Sequence, residues 1–212
     1  MKKVLLGILA MLALGLLAGC SSEPPKTSEP AKPAKAKPAD EYLTGRIVFQ
    51  KLFVTARAWA ADTQPFHLES QYTKGAPVAE GKAGIWRASF ASLKGRSAKS
   101  YLWSGTASEE EALERGISPG LEDSFNPSNP STHPFELAFL KIDSDQAFEV
   151  AQEHGGKALL KKTPDQPVLF VLDWDSHGNK LVWHVVYGEK RADAKLTVAV
   201  DASTGGFLKV EK

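Results

Sequence analysis

The chain has 212 residues, 26 of them basic and 25 acidic, with a formal net charge of +1. That balance supplies no basic stripe of the kind nucleic acid requires, so a nucleic-acid-binding role is excluded. A single cysteine excludes an internal disulfide and a thiolate metal site, which leaves the fold to core packing.

Lys2 and Lys3 precede Val4 to Gly19, an uncharged run of sixteen residues, and Leu17-Ala18-Gly19 stands directly before Cys20. Sixteen residues rise only about 24 Å as helix, short for a bilayer core about 30 Å thick. The pattern resembles the lipobox of bacterial lipoproteins. That resemblance implies cleavage of residues 1–19 as a signal peptide, with lipid, palmitate included, on Cys20. Ser21 and Ser22 follow, with no Asp at the second mature position. By the same resemblance, this favours the outer membrane, facing the periplasm, in a two-membrane envelope. Losing Lys2 and Lys3 takes the 26 basic residues to 24 against 25 acidic, a net charge of −1. The expected membrane contact is therefore the lipid and not a polybasic patch.

Ser21 to Ala39 holds five of the thirteen prolines and no large apolar residue. Such a segment cannot bury enough surface to offset its ordering entropy, so a disordered spacer is expected, with a reach of up to about 60 Å.

A first helix-plus-sheet unit is expected over residues 40–106. Asp40 suits a helix start, and Leu43, Ile47, Val48, Leu52, Ala56 and Trp59 follow helical spacing. Pro65 marks the exit from that helix. Residues 66–70, 84–90 and 99–103 read as strands, with Trp86, Ala88 and Phe90 on one face. Aligning Lys99 with Lys195 turns Tyr101 and Trp103 to the opposite face. There, with Arg87 and His184 (the polar residues after each tryptophan), they form a candidate binding face. The competing expectation is that the two aromatics pack against the rest of the chain.

Residues 107–142 form the connection. Glu109 to Leu113 reads as a short helix ending at Gly116, residues 124–134 as a loop with two Asn-Pro pairs, and Phe135 to Ile142 as a strand. A second unit is expected over 143–212. Asp143-Ser144-Asp145 caps a helix from Gln146 to His154, which Gly155-Gly156 ends. Val168 to Trp174 and Leu181 to Tyr187 form a hairpin, with Leu181, Trp183, Val185 and Tyr187 on one face. Leu196 to Val200 follows as a strand. Asp201 then opens a turn through Gly206, where its carboxylate can accept backbone amides.

The two units echo one another. Ile85-Trp86-Arg87-Ala88-Ser89-Phe90 matches Val182-Trp183-His184-Val185-Val186-Tyr187, which reads as a degenerate duplication with Trp86 and Trp183 at equivalent core positions. The capped helix from Ser144 to Gly156, the strand from Trp183 to Tyr187 and the turn Val200-Asp201-Ala202-Ser203-Thr204-Gly205 together resemble the PepSY domain. The first unit carries Trp103-Ser104-Gly105 where that turn would stand. The resemblance implies an α+β fold of two related units, each a helix on an antiparallel sheet. It also implies a regulatory or protein-binding module, with an unidentified envelope protein such as a peptidase as partner.

Chemistry of other kinds finds little support. The five histidines (His67, His133, His154, His177 and His184) are scattered, with no H-E-x-x-H, no Walker loop and no dinucleotide fingerprint. Asp173-Trp174-Asp175-Ser176-His177 is the one compact oxygen-and-imidazole cluster, and it reads as a polar hairpin turn sooner than a metal site. No catalytic residue, cofactor or metal is expected. The expected role is that of a non-enzymatic, lipid-anchored envelope protein. The alternatives are a periplasmic small-molecule- or metal-binding domain and a tether with no specific ligand.

Overall fold

Strands whose side chains point to alternate faces and helices with one buried apolar face build one α+β layer pair. A computed structural model describes residues 39–72, 80–108 and 112–212, which lie in one compact unit, Pro38–Lys212. The expected signal peptide 1–19, Cys20, the proline-rich spacer up to Pro38, and Glu109 to Glu111 lie outside the described residues.

The elements run β1 (Leu43–Thr44), α1 (Gly45–Trp59), β2 (Thr63–Ser70), β3 (Lys82–Ala83), β4 (Ile85–Ser92), β5 (Ser97–Ser104) and β6 (Gly116–Ser124). They continue with α2 (Ser144–Ala151), α3 (Lys157–Lys162), β7 (Val168–Asp175), β8 (Lys180–Tyr187), β9 (Leu196–Asp201) and β10 (Phe207–Val210). β1 and β3 form a small two-stranded sheet. The other eight strands form one antiparallel sheet in the order β10-β9-β8-β7-β2-β4-β5-β6.

The large sheet corrects the expectation of two separate sheets. β2 and β7 pair directly, with His67 opposite Asp173, Leu68 opposite Leu172 and Glu69 opposite Val171. Two units with private sheets would each expose an edge at this seam, and pairing removes both edges. Outward from the seam the flanks read alike, β2-β4-β5-β6 on one side and β7-β8-β9-β10 on the other. Residues 107–142 are more than a link, because β6 lies among them as the edge strand. Phe135 to Ile142 forms no strand. Phe135 N–H bonds the Pro65 carbonyl, a 3₁₀ turn follows over Leu137–Phe139, and Lys141 and Ile142 N–H both donate to the Ala202 carbonyl. Pro65 does not mark a helix exit but sits inside β2, next to a bulge, where a missing N–H is tolerated.

Trp86 and Trp183 occupy matching places. Each stands on the second strand from the seam, is fully buried on the helix-covered face, and donates its Nε1–H to a carbonyl just before a helix. Trp86 bonds Leu43 O at 3.0 Å and Trp183 bonds Ile142 O at 2.9 Å. The rings meet edge to face, 6.4 Å apart. α1 and α2 also begin at one point. Thr44 Oγ1 donates to Asp143 Oδ2 at 2.7 Å, and Gly45 N–H donates to Ser144 Oγ at 2.8 Å. Asp143 Oδ1 accepts both Arg46 N–H at 2.8 Å and Ser144 N–H at 2.7 Å, so one carboxylate caps both helices. Asp40, the expected cap of α1, instead pairs with Arg115 at 2.9 Å.

The second helix breaks at Gly155-Gly156 as expected: His154 and Gly155 leave helical geometry, Gly155 at φ +110°, and a further helix, α3, starts just beyond. The close approach requires glycine at 156, where an added Cβ would collide with the Tyr187 hydroxyl.

Candidate functional site

Tyr101 and Trp103 are not on an open face. They are 3% and 5% exposed and point to the helices, with Tyr101 edge-on to Phe90. The register explains the correction. Trp86 pairs with Trp103 and Trp183 with Val200, each seventeen residues on, so Tyr101 and Trp103 correspond to Val198 and Val200. Aligning Lys99 with Lys195 is one residue out of register, and a one-residue slip exchanges the faces of a strand. Ser104 then corresponds to Asp201. Asp201 Oδ1 accepts the N–H groups of Ser203 and Thr204 at 2.8 and 3.1 Å, as expected of the turn. Ser104 Oγ accepts Thr106 N–H at 3.2 Å in the same way.

Arg87 and His184 do lie on the other, helix-free face, at corresponding positions of β4 and β8. They belong to different groups there. His184 is 5% exposed and clamped between two carboxylates. Its Nε2 lies 3.0 Å from Asp173 Oδ1 on β7, and its Nδ1 lies 2.9 Å from Glu211 Oε2, just past β10. Arg191, in the loop between β8 and β9, closes the cluster at 3.2 Å from Asp173 and 3.5 Å from Glu211. Burial opposes charge on His184, but the hydrogen bonds to Asp173 and Glu211 outweigh it and raise the pKa above the ordinary imidazole value. The hydrogen bond from His184, aided by Arg191 and Lys209, pushes Glu211 down to about 2. Burial acts to raise Asp173, but His184 and Arg191 bring it below the usual carboxylate range.

An Arg191 nitrogen also lies 2.9 Å from His184 Nδ1, a contact that would be a hydrogen bond only for a neutral ring. With two carboxylates in place, we assign the imidazolium, which donates from both nitrogens, and pair Arg191 with the carboxylates. A ring so engaged has no lone pair for a metal or for general-base work. Among the described residues, no group of three or more His, Cys, Asp or Glu side chains is placed to hold a metal ion.

Beside this cluster, His67 bonds Glu69 at 3.3 Å and Arg87 lies 3.9 Å from Glu69. The hydrogen bond from His67 leads the causes that hold Glu69 below its ordinary value. Between the two groups runs an open groove of about 510 Å³, floored by Leu169, Val171 and Val186. Its rims are His67, Glu69 and Tyr72 on one side and Glu189, Lys190 and Arg191 on the other. The cluster from Asp173 to His177 does not act together. Asp173 joins His184, while Asp175 accepts His177 N–H within its own turn at 3.0 Å. Sequence reading missed Asp173, Arg191 and Glu211 as partners of His184. Strand alternation could have set Asp173 on the face opposite Leu172 and Trp174, but nothing local ties Arg191 or Glu211 to it.

No family model matches the chain, and no curated protein matches it. A solved chain from Clostridium difficile, described as a candidate lipoprotein, aligns with 77% of this chain and 91% of its own at 13% identity and TM-score 0.48.

Proposed function

We propose that this is a lipid-anchored, non-enzymatic envelope protein whose domain, a fused pair of PepSY-like units, binds an extended segment of another envelope protein. The observation that carries the binding role is the outer-face groove. An apolar floor runs between charged rims, which suits a strand-like segment whose side chains alternate between apolar and charged. Arg191 fixes one rim through Asp173 and Glu211, so the groove is formed before anything enters it. The lipobox resemblance at Cys20 supports the anchor. The matching tryptophans, the shared helix start and the turns at Ser104 and Asp201 support descent of both halves from one unit.

The groove volume also falls in the range of about 300–1,000 Å³ used by small molecules, which supports the second reading of a small-molecule site. Capture from detergent-solubilised envelopes separates the two. Full-length protein should retain a specific polypeptide, and the Tyr72→Ala/Lys190→Glu double variant should retain at least tenfold less. Equal recovery by both chains, or no specific polypeptide with either, would count against the protein-binding role.

A further inference from the structure

The two ring nitrogens of His184 have different neighbours. Among the described residues Nε2 meets only Asp173 Oδ1, at 3.0 Å. Nδ1 lies 2.9 Å from an acceptor, Glu211 Oε2, and 2.9 Å from a donor, Arg191 Nη2. That Nη2 and Oε2 are themselves 3.5 Å apart, so acceptor and donor stand together at one ring atom. The other charges around the ring are few. Arg191 Nη1 lies 3.2 Å from Asp173 Oδ2, Lys209 lies 3.5 Å from Glu211, and His67 stands opposite Asp173 across the seam. β9 sets the uncharged Ala199 opposite His184, and the loop after β8 adds Glu189, Lys190 and Asp193. Lys212 Nζ is bonded to the Ala192 carbonyl of that loop at 2.9 Å.

While the ring is charged the cluster is balanced, with His184 and Arg191 as cations against Asp173 and Glu211. A neutral imidazole keeps one proton, on one nitrogen or the other. A bare Nε2 would turn its lone pair on the Asp173 carboxylate, and no donor of the described residues lies within bonding distance to relieve it. A bare Nδ1 finds Arg191 Nη2 already at bonding distance. We infer that the proton on His184 selects the partner of Nδ1, Glu211 while the proton is present and Arg191 once it is lost. On its loss Nε2–H keeps Asp173, Arg191 donates to Nδ1, and Glu211 withdraws from the ring towards Lys209. The cluster then passes from neutral to one net negative charge. Arg191 is a rim residue of the outer-face groove, so this exchange is a pH control on one groove wall. It rests on the proposed binding role only for its consequence: acidic segments are favoured at that wall below the titration and basic ones above it. Bonds to two carboxylates hold the ring proton beyond the ordinary imidazole value, so the exchange falls above pH 6.5.

Nitrogen NMR of the full-length chain in detergent micelles, with isotope-labelled histidine, reads both ring nitrogens directly. The His184 signals are those missing from His184→Gln. At low pH both nitrogens should carry protons. Above the titration the neutral ring should carry its proton on Nε2 at least tenfold over Nδ1. In Arg191→Met, which removes the donor, that preference should fall at least fivefold, and the titration midpoint should rise by about one pH unit. A neutral ring protonated on Nδ1 in the wild type would overturn the inference, and so would an unchanged preference for Nε2 in Arg191→Met. A groove that binds nothing leaves these signals as they are, so failure of the binding role is told apart from failure of the exchange.

Discussion

Asp143→Ala should destabilise the domain by about 3 kcal/mol, because one carboxylate starts both helices. Its oxygens accept Ser144 N–H, Arg46 N–H and the Thr44 hydroxyl, and the Asp143 N–H is bonded in turn by Gln146 Oε1 at 3.1 Å. Loss of an N-cap costs about 1 kcal/mol per helix, and the Thr44 hydroxyl, mostly buried, is left without its partner. For a domain of this size that corresponds to a fall in Tm of roughly 6–12 °C. Asp143→Asn keeps an acceptor oxygen and should cost about 1 kcal/mol or less. Thermal or denaturant unfolding measures both. A loss under about 1 kcal/mol for Asp143→Ala would show that the helices are not capped jointly.

The second large effect is a stability profile set by the His184 cluster. Glu211 drops from 4.5 to about 2 in the folded state, so its contribution is present above pH 4.5 and is lost as the pH falls towards 2. Asp173, also lowered, adds a loss of the same sign. His184 is raised above 6.5, so its contribution is complete below that pH and disappears as the pH rises through the folded value. The cluster therefore stabilises most between pH 4.5 and 6.5. Glu211 is partly open to solvent, so after screening its shift is worth about 1–2 kcal/mol, an energy shared with His184 and not added to it. His184→Gln keeps a side chain able to hydrogen-bond but removes the charge, and should cancel about half of the acid-limb loss. Denaturant melts from pH 3 to pH 9 compare the two chains, and parallel curves would show that the imidazolium does not carry the effect.

The helix-facing half of the domain was legible because it obeys local rules. Leu181, Trp183, Val185 and Tyr187 alternate onto one buried face, and Asp201 folds its turn with its own carboxylate. The start of α1 was not legible, because its cap comes from Asp143, ninety-seven residues beyond Arg46, while Asp40 nearby looked suitable. Tyr101 and Trp103 were misplaced by a single residue of register, which inspection of one strand cannot fix but pairing with Trp86 and Ala88 does. The candidate site fared similarly. Arg87 and His184 were on the right face, but the ions that lock His184 arrive from β7, the loop after β8 and the segment after β10, meeting only once the sheet is assembled.

Every part of the proposed function requires the chain to be exported and held at Cys20. Cells expressing the wild type or Cys20→Ser are labelled with a clickable fatty acid, and the protein is followed by gel. The wild type should carry label and migrate as the form shortened by residues 1–19. Cys20→Ser lacks the sulfur that takes the diacylglycerol, so it should carry no label and accumulate as the uncleaved precursor. The domain uses no cysteine and should fold in both. Equal label on the two chains, or normal maturation of Cys20→Ser, would contradict the account.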